Sequence, residues 1–248
     1  MWDEGLDDGS RMNFNLNPSS HRRRDDMRKI LILLMVFLFL SCGPATKEKD
    51  LEIDGRQLTS RKPPFTLTLP SELQLTHSST VEYPNESSLT RSYFFIKEKE
   101  KQIEEMLIIQ IADKTNPQAE AMTAPPLKPE TTKRTYSNGK IKKGGLEVDY
   151  LIQWMAWNPV APSLQPIVKK GIVIPPHWAL QGQFLFLYQG EHAVFFRHSK
   201  DIHSFGMKIS EKGDDWGKGV ISDNEKKAYE IFQNNFMQMM DSIQTKNQ

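Results

Sequence analysis

Histidine side chains are the first candidates for chemistry in this sequence. His192 and His198 are six residues apart, so on one continuous strand they face the same side of a sheet. Glu191, Asp201 and His203 stand nearby in the chain and add oxygen and nitrogen atoms that transition metals accept as ligands. This spacing raises the hypothesis of a metal site at His192, His198 and His203, or of a hydrolytic centre built on the first two. The alternative interpretation is that they are strand-end and loop histidines without a shared centre.

Three tryptophans are the candidates for ligand binding, namely Trp154, Trp157 and Trp178. An exposed indole has an apolar face that can stack on a sugar ring and a polar N–H that can bond to it. Trp154 and Trp157 are three residues apart, so on a regular strand they point to opposite faces and at least one of them belongs to the core. Packing is the alternative role for all three, including Trp178, which ends the rigid turn predicted at 175–178.

Several classes of site are missing from the sequence. It contains no glycine-rich phosphate loop, no G-x-S-x-G and no H-E-x-x-H. Its single cysteine excludes an intramolecular disulfide and every zinc site that needs two thiolates. The net charge of +1, from 32 Lys and Arg against 31 Asp and Glu, argues against a nucleic-acid partner. The sequence therefore indicates no catalytic residues and no cofactor.

The lone cysteine, Cys42, directly follows a stretch typical of a secretory signal. Met27, Arg28 and Lys29 precede an apolar run of eleven residues, 30–40, which ends at the small residue Ser41. As a helix this run would extend about 17 Å. That length is well short of the roughly 30 Å hydrocarbon core of a membrane. The run can engage an export machinery but is too short for an ordinary membrane span.

Residues 38–42, Leu-Phe-Leu-Ser-Cys, resemble the lipobox of bacterial lipoproteins, with Phe39 where leucine is more usual. The resemblance implies that the Cys42 thiol receives a diacylglyceryl group and that cleavage before Cys42 exposes an amino terminus that is acylated as well. Two or three acyl chains make a durable anchor, whereas one holds a protein only marginally. Gly43 replaces the aspartate that retains such proteins in the inner membrane, which favours the periplasmic face of the outer membrane in a Gram-negative cell. The alternative is an uncleaved signal-anchor.

The composition predicts four segments. Residues 1–26 are polar and do not fit a signal peptide, so translation is expected to start at Met27; a twin-arginine signal at 22–24 is the alternative. Residues 27–41 form the signal peptide. Residues 42–64 are charged and poor in apolar side chains, which predicts a flexible tether. Residues 65–248 form a single globular domain.

Hydrophobic periodicity predicts the elements of that domain. Alternating residues predict strands at 65–69, 89–97, 104–113, 146–157, 182–188 and 193–198, the last two at the centre of the sheet. Asn138-Gly139 is typical of a type I′ hairpin turn. Ser222 and Glu225 form a capping box, and it is followed by an apolar stripe at helical spacing: Tyr229, Phe232, Phe236, Met239, Met240 and Ile243.

These elements indicate an α+β fold, a mainly antiparallel β-sheet packed against a C-terminal amphipathic helix. The segments 65–70 (Phe-Thr-Leu-Thr-Leu-Pro) and 240–243 (Met-Asp-Ser-Ile) are similar to the opening strand and closing helix of PsbP-like domains. That resemblance implies an α/β/α sandwich that serves as an accessory or binding module, and it carries over no functional residue.

The function expected from the sequence is that of a membrane-anchored envelope lipoprotein whose domain is a non-catalytic binding or accessory module. Its partners are the lipid bilayer, through acylated Cys42, and an envelope protein or glycan. Two alternatives remain open. One is a metal-dependent or hydrolytic envelope enzyme that uses His192 and His198, and the other is a cell-wall glycan-binding protein.

Overall fold

The structure, a computed structural model, describes residues 50–129, 135–143, 145–175, 178–207 and 222–245. The predicted α+β class is confirmed: two antiparallel sheets pack with a long C-terminal helix. The strands are β1 (Leu51–Asp54), β2 (Gln57–Arg61), β3 (Pro64–Thr68), β4 (Gln74–Tyr83), β5 (Ser88–Lys99), β6 (Gln102–Lys114), β7 (Thr135–Lys143), β8 (Leu146–Ala156), β9 (Trp178–Tyr188), β10 (His192–Asp201) and β11 (Gln244–Thr245). The helices are α1 (Gln165–Val168) and α2 (Asp223–Asp241), with 3-10 turns at Pro84–Glu86, Pro162–Leu164 and Ile202–Phe205.

The larger sheet has seven strands in the order β4-β5-β6-β10-β9-β8-β7, and every neighbouring pair is antiparallel. The smaller sheet has the order β1-β2-β3-β11. The aromatic strands β9 and β10 occupy the middle of the larger sheet, as the sequence predicts. Phe184 of β9 lies opposite Phe196 of β10, and their rings stack with centroids 4.2 Å apart.

The larger sheet has two faces with different coverings. Its helix-side face carries Trp154, Phe184 and Phe196 and is covered by α2 and the smaller sheet. Phe65 of β3 meets Phe186 and Phe196 edge-on, at 6.0 and 5.8 Å between centroids. The opposite surface, called the far face here, carries Phe94, Ile108 and Gln181, because side chains alternate along each strand.

Residues 157–175 cross one end of the far face. Their apolar side chains, Trp157, Leu164, Ile167 and Ile174, are buried against Phe94, Ile96, Met106, Ile108 and Ala179. The backbone N–H of Ile103 donates to the carbonyl of Val173 over 3.0 Å, which fastens this segment to the sheet. At the other end, the N–H of Met122 donates to the carbonyl of Gly190 over 2.8 Å and holds part of the loop after β6 against the β9–β10 turn.

The C-terminal helix matches its prediction closely. The Ser222 hydroxyl accepts a hydrogen bond from the Glu225 N–H at 3.2 Å and so satisfies one of the free donors of the first turn. Phe232, Phe236 and Met240 are buried on the sheet, as their helical spacing predicts.

The predicted tether, residues 42–64, is wrong in its second half, because β1 and β2 lie within it. Leu58 is completely buried, so its side chain packs in the core although the residues around it in the chain are mostly polar or charged. The folded domain therefore begins at least fourteen residues before the expected start at residue 65, since β1 begins at Leu51. The signal peptide and Cys42 lie outside the described residues.

The hairpin turn predicted at Asn138-Gly139 is also wrong. Both residues lie inside β7, opposite Leu151 and Tyr150, and the chain turns only between Lys143 and Leu146. A Cβ atom on Gly139 would lie 3.4 Å from the Tyr150 ring, an ordinary van der Waals contact. Within the described ranges, no helix is long and apolar enough to cross a membrane.

Candidate functional site

His192 and His198 both point to the helix-side face of β10, so the sequence is right about their common side. They are six residues apart along the strand, which separates their Cα atoms by about 20 Å. Each contacts a different carboxylate of β6: His192 pairs with Asp113 and His198 with Glu105. The structure therefore holds two separate histidine–carboxylate pairs at opposite ends of the sheet.

The first pair is a buried ion-pair network under α2. His198 Nε2 lies 2.7 Å from Glu105 Oε1, and Lys200 Nζ lies 3.5 Å from Glu105 Oε2. Burial alone would raise the pKa of Glu105, but the hydrogen bond and charge of His198, the charge of Lys200 and a smaller contribution from Ser71 lower that pKa to about 2. Glu105 is therefore ionised at neutral pH although its side chain is only 1% exposed.

The His198 ring is also clamped by aromatic rings of α2. It stacks on Phe232 with centroids 5.2 Å apart and lies nearly parallel to Phe236 at 6.5 Å. Because ionised Glu105 is an acceptor, His198 Nε2 carries the proton of this hydrogen bond. Within the described part of the chain, the buried Nδ1 atom has no hydrogen-bond partner.

The second pair belongs to a network centred on buried Arg91. Arg91 contacts Asp113 Oδ2 through Nη2 at 2.8 Å and through Nε at 3.0 Å. His192 Nδ1 lies 2.6 Å from the other oxygen of Asp113. Arg91 also donates to Asp50 over 3.0 Å and to the carbonyl of Lys62 over 2.6 Å. The guanidinium thus joins the larger sheet to both ends of the β1–β2 segment.

The proposed metal ligands are not brought together. His203 lies in the 3-10 turn after β10 and pairs with Asp201 at 3.4 Å. Across residues 50–129, 135–143, 145–175, 178–207 and 222–245, no three His, Cys, Asp or Glu side chains are grouped so that they could hold a metal ion. Glu191, the remaining candidate, is exposed in the β9–β10 turn.

The tryptophans do not form an exposed stacking platform. Trp154 is fully buried on the helix-side face and donates to Glu225 Oε1 over 3.0 Å. Trp157 is buried in the opposite cluster, so the prediction that these two point to opposite faces is confirmed. Trp178 is half-buried and packs against the helix-side core. The sequence left open which tryptophans are buried, because an indole carries no local sign of whether a helix or a loop covers it.

Sequence reasoning also missed Arg91, Glu105 and Asp113. A usable sign was present: each lies an even number of residues from a buried apolar residue of its own strand, Arg91 from Tyr93 and Glu105 and Asp113 from Leu107. A charged residue at an inward position must be paired, because an isolated buried charge is very costly.

Comparisons with protein-family models, with curated proteins and with solved structures find no match to this chain. The resemblances to bacterial lipoproteins and to PsbP-like domains therefore stay predictions from the residues that carry them.

Proposed function

We propose that this chain is a membrane-anchored envelope lipoprotein whose folded domain is a non-catalytic binding or accessory module. The observation that carries the proposal is the position of the only cysteine, Cys42, at the end of a short apolar run and within a lipobox-like sequence. The attachment is lipid on the Cys42 thiol and amino group. The outer membrane, on its periplasmic face, is the favoured location in a Gram-negative cell.

The start of the folded domain supports a close attachment to the lipid surface. Residues 43–50 separate Cys42 from β1, and eight residues reach at most about 28 Å even when fully extended. Asp50 is held against buried Arg91, so the linker ends at a firm point on the domain. The domain would then sit next to the membrane, with the end of the sheet that contains Arg91 towards it.

The enclosed histidines support a module without catalysis. His198 and Glu105 are buried between β6, β10 and α2, and the imidazole ring is hydrogen-bonded to the carboxylate. A general base must reach the proton that it abstracts, directly or through one water. The geometry therefore favours a structural role for the residues that the enzyme alternative would need.

The lipid anchor is tested by expressing the full chain and the Cys42→Ser variant in a bacterium. We expect the wild-type product to be membrane-bound, to incorporate labelled palmitate and to have an intact mass that shows cleavage before Cys42 plus acyl chains. The variant should lose the label. A wild-type product with an unmodified thiol or an uncleaved leader contradicts the anchor.

The non-catalytic part is tested separately on the purified full chain. Loss of a hydrolytic or metal-dependent activity in His198→Ala, with the circular dichroism spectrum of the wild type retained, would contradict it. Recovery of one specific partner from detergent-solubilised membranes, with no turnover of small envelope substrates, would support it.

A further inference from the structure

The far face carries a diagonal band of hydrogen-bonding side chains that none of the networks above uses. We call this band the polar stripe; its members are Ser92, Gln110, Arg197, Gln183, Gln181 and Gln153. They come in order from the adjacent strands β5, β6, β10, β9 and β8, so the stripe crosses four strand spacings, about 19 Å. Phe94 and Ile108 border it on one side and Leu151, Leu185 and Phe195 on the other, with polar Ser199 and Thr90 among them, so the band is bordered largely by buried apolar residues.

The stripe is linked by hydrogen bonds of its own. Gln110 donates to Ser92 at 3.3 Å, Gln183 to Gln181 at 2.5 Å and Gln153 to Gln181 at 3.4 Å. Gln181 in turn donates to Ser199 at 3.2 Å. Gln110, Gln183 and Arg197 are only half-buried, whereas Gln153 and Gln181 are buried. The middle of the stripe is therefore partly open to solvent, and both ends are buried, Ser92 at one end and Gln153 at the other.

Two buried polar atoms on the far face, one in the stripe and one in the neighbouring apolar cluster, remain without hydrogen-bond partners among the described residues. They are the carbonyl oxygen Oε1 of Gln153, an acceptor, and Nε1 of Trp157, a donor. Trp157 belongs to the far-face cluster just beyond the end of β8, so both atoms lie on the same side of the sheet. A buried polar group without a partner is destabilising, and native proteins retain few of them. The stripe therefore contains one unsatisfied acceptor at a buried end, Gln153 Oε1.

We propose that the polar stripe is a binding site for an uncharged oligosaccharide that carries hydroxyl and acetamido groups. Carboxamides offer one donor and one acceptor side by side, and they match the paired hydroxyls and the acetamido group of a sugar. The stripe runs across strands and uses side chains, whereas an extended peptide is normally bound along a sheet edge through its backbone. Arg197, positioned over the Phe195 ring at 5.5 Å, adds one cation that suits an occasional carboxylate on the glycan.

The identification of the natural ligand as a cell-wall glycan rests on the proposed envelope location. The existence of the binding site does not depend on that location. An in vitro binding result is also independent of acylation. If the chain is acylated in the cell but does not bind the probe, the stripe proposal alone is rejected. If the chain binds the probe but is not acylated in the cell, the envelope assignment alone is rejected.

The test uses the purified full chain and three probes in isothermal titration: the neutral tetramer of N-acetylglucosamine, its de-acetylated cationic form and an uncharged tetrapeptide amide. The variants are Gln183→Ala and Gln110→Ala, alone and combined, in the half-exposed part of the stripe. Gln238→Ala, on the exposed side of α2, is the matched control. Circular dichroism confirms that each variant is folded.

We expect the N-acetylated tetramer to bind and the other two probes to bind more weakly. The loss of two ligand hydrogen bonds in the double variant should weaken binding about tenfold, whereas Gln238→Ala should leave it unchanged. The proposal is overturned if the acetylated tetramer does not bind, if the peptide binds more tightly than the sugar, or if the stripe variants bind as well as the control. Those outcomes would leave the stripe as a hydrated structural surface.

Discussion

Trp154 Nε1 donates a hydrogen bond to Glu225 Oε1 over 3.0 Å, and this bond joins the C-terminal part of β8 to the first turn of α2. The Glu225 N–H is at the same time bonded to the cap residue Ser222. Glu225 therefore donates to the cap residue through its backbone and bonds the helix to the sheet through its side chain. The carboxylate also lies where the helix dipole favours a negative charge.

Removal of this bond should destabilise the domain measurably. Trp154→Phe leaves the buried Glu225 carboxylate without the indole donor, and we expect the free energy of unfolding in urea to fall by about 1–3 kcal/mol. Glu225→Gln keeps an acceptor oxygen and should cost less. Equal stability of Trp154→Phe and wild type would show that the bond contributes nothing.

Gly182 should not tolerate a side chain. A Cβ atom there would lie 2.5 Å from the Phe236 ring, so the helix would have to move away from β9. We expect Gly182→Ala to cost about 1–3 kcal/mol, the usual effect of overpacking, and to lower the thermal midpoint. Gly139→Ala is the control, because its Cβ atom would lie 3.4 Å from Tyr150 and at most a small change is expected. A stable Gly182→Ala protein would mean that α2 does not sit as closely on β9.

The Glu105 network should make stability depend on acid pH. The pKa of Glu105 is lowered from its usual 4.5 to about 2, so the folded state favours the ionised form. The stabilisation is present above pH 4.5 and is lost as the pH falls towards 2; its full size is on the order of 3 kcal/mol. We expect the free energy of unfolding to fall across this window in the wild type and to change less in Glu105→Gln. Parallel pH profiles of the two proteins would contradict the assignment.

The two carboxylates that pair with Arg91 should contribute very differently to the stability of the domain. Asp113 is buried and accepts from both Arg91 and His192, whereas the Asp50 side chain is 44% exposed. Arg91→Met leaves Asp113 as a buried charge without its main partner, and we expect a loss of about 3–5 kcal/mol in chemical denaturation. Asp50→Asn should cost under about 1 kcal/mol, the range of exposed ion pairs. Similar losses of stability in both variants would show that the exposed Asp50 ion pair matters as much as the buried Asp113 pair.

Local sequence patterns predicted the elements that are long and periodic. The spacing of Phe232, Phe236 and Met240 specifies one buried face of a helix, and the sheet needs such a face to cover it. The centre of the sheet followed in the same way from the aromatic residues of β9 and β10. The sequence did not predict two short or unusual elements. β1 and β2 have few apolar residues between charges, and Asn138-Gly139 has the composition of a turn but lies inside β7, paired with Leu151 and Tyr150 of β8.

The candidate site depended on contacts that no local pattern contains. His192 meets Asp113 across 79 residues of chain and His198 meets Glu105 across 93, both through the pairing of β6 with β10. The even spacing of the two histidines predicted their common side but carried no information about which carboxylate each would meet.

By itself, the sequence determined the α+β class, the amphipathic C-terminal helix, the central aromatic strands and the common side of His192 and His198, because these follow from side-chain periodicity over a few residues. Only the tertiary structure decided that the histidines are separate structural pairs, that Trp154 and Trp157 are buried and that a polar stripe crosses the far face. The physical reason is that strand order, register and the layers that cover each face are set by packing between segments far apart in the chain, and burial and pairing follow from them.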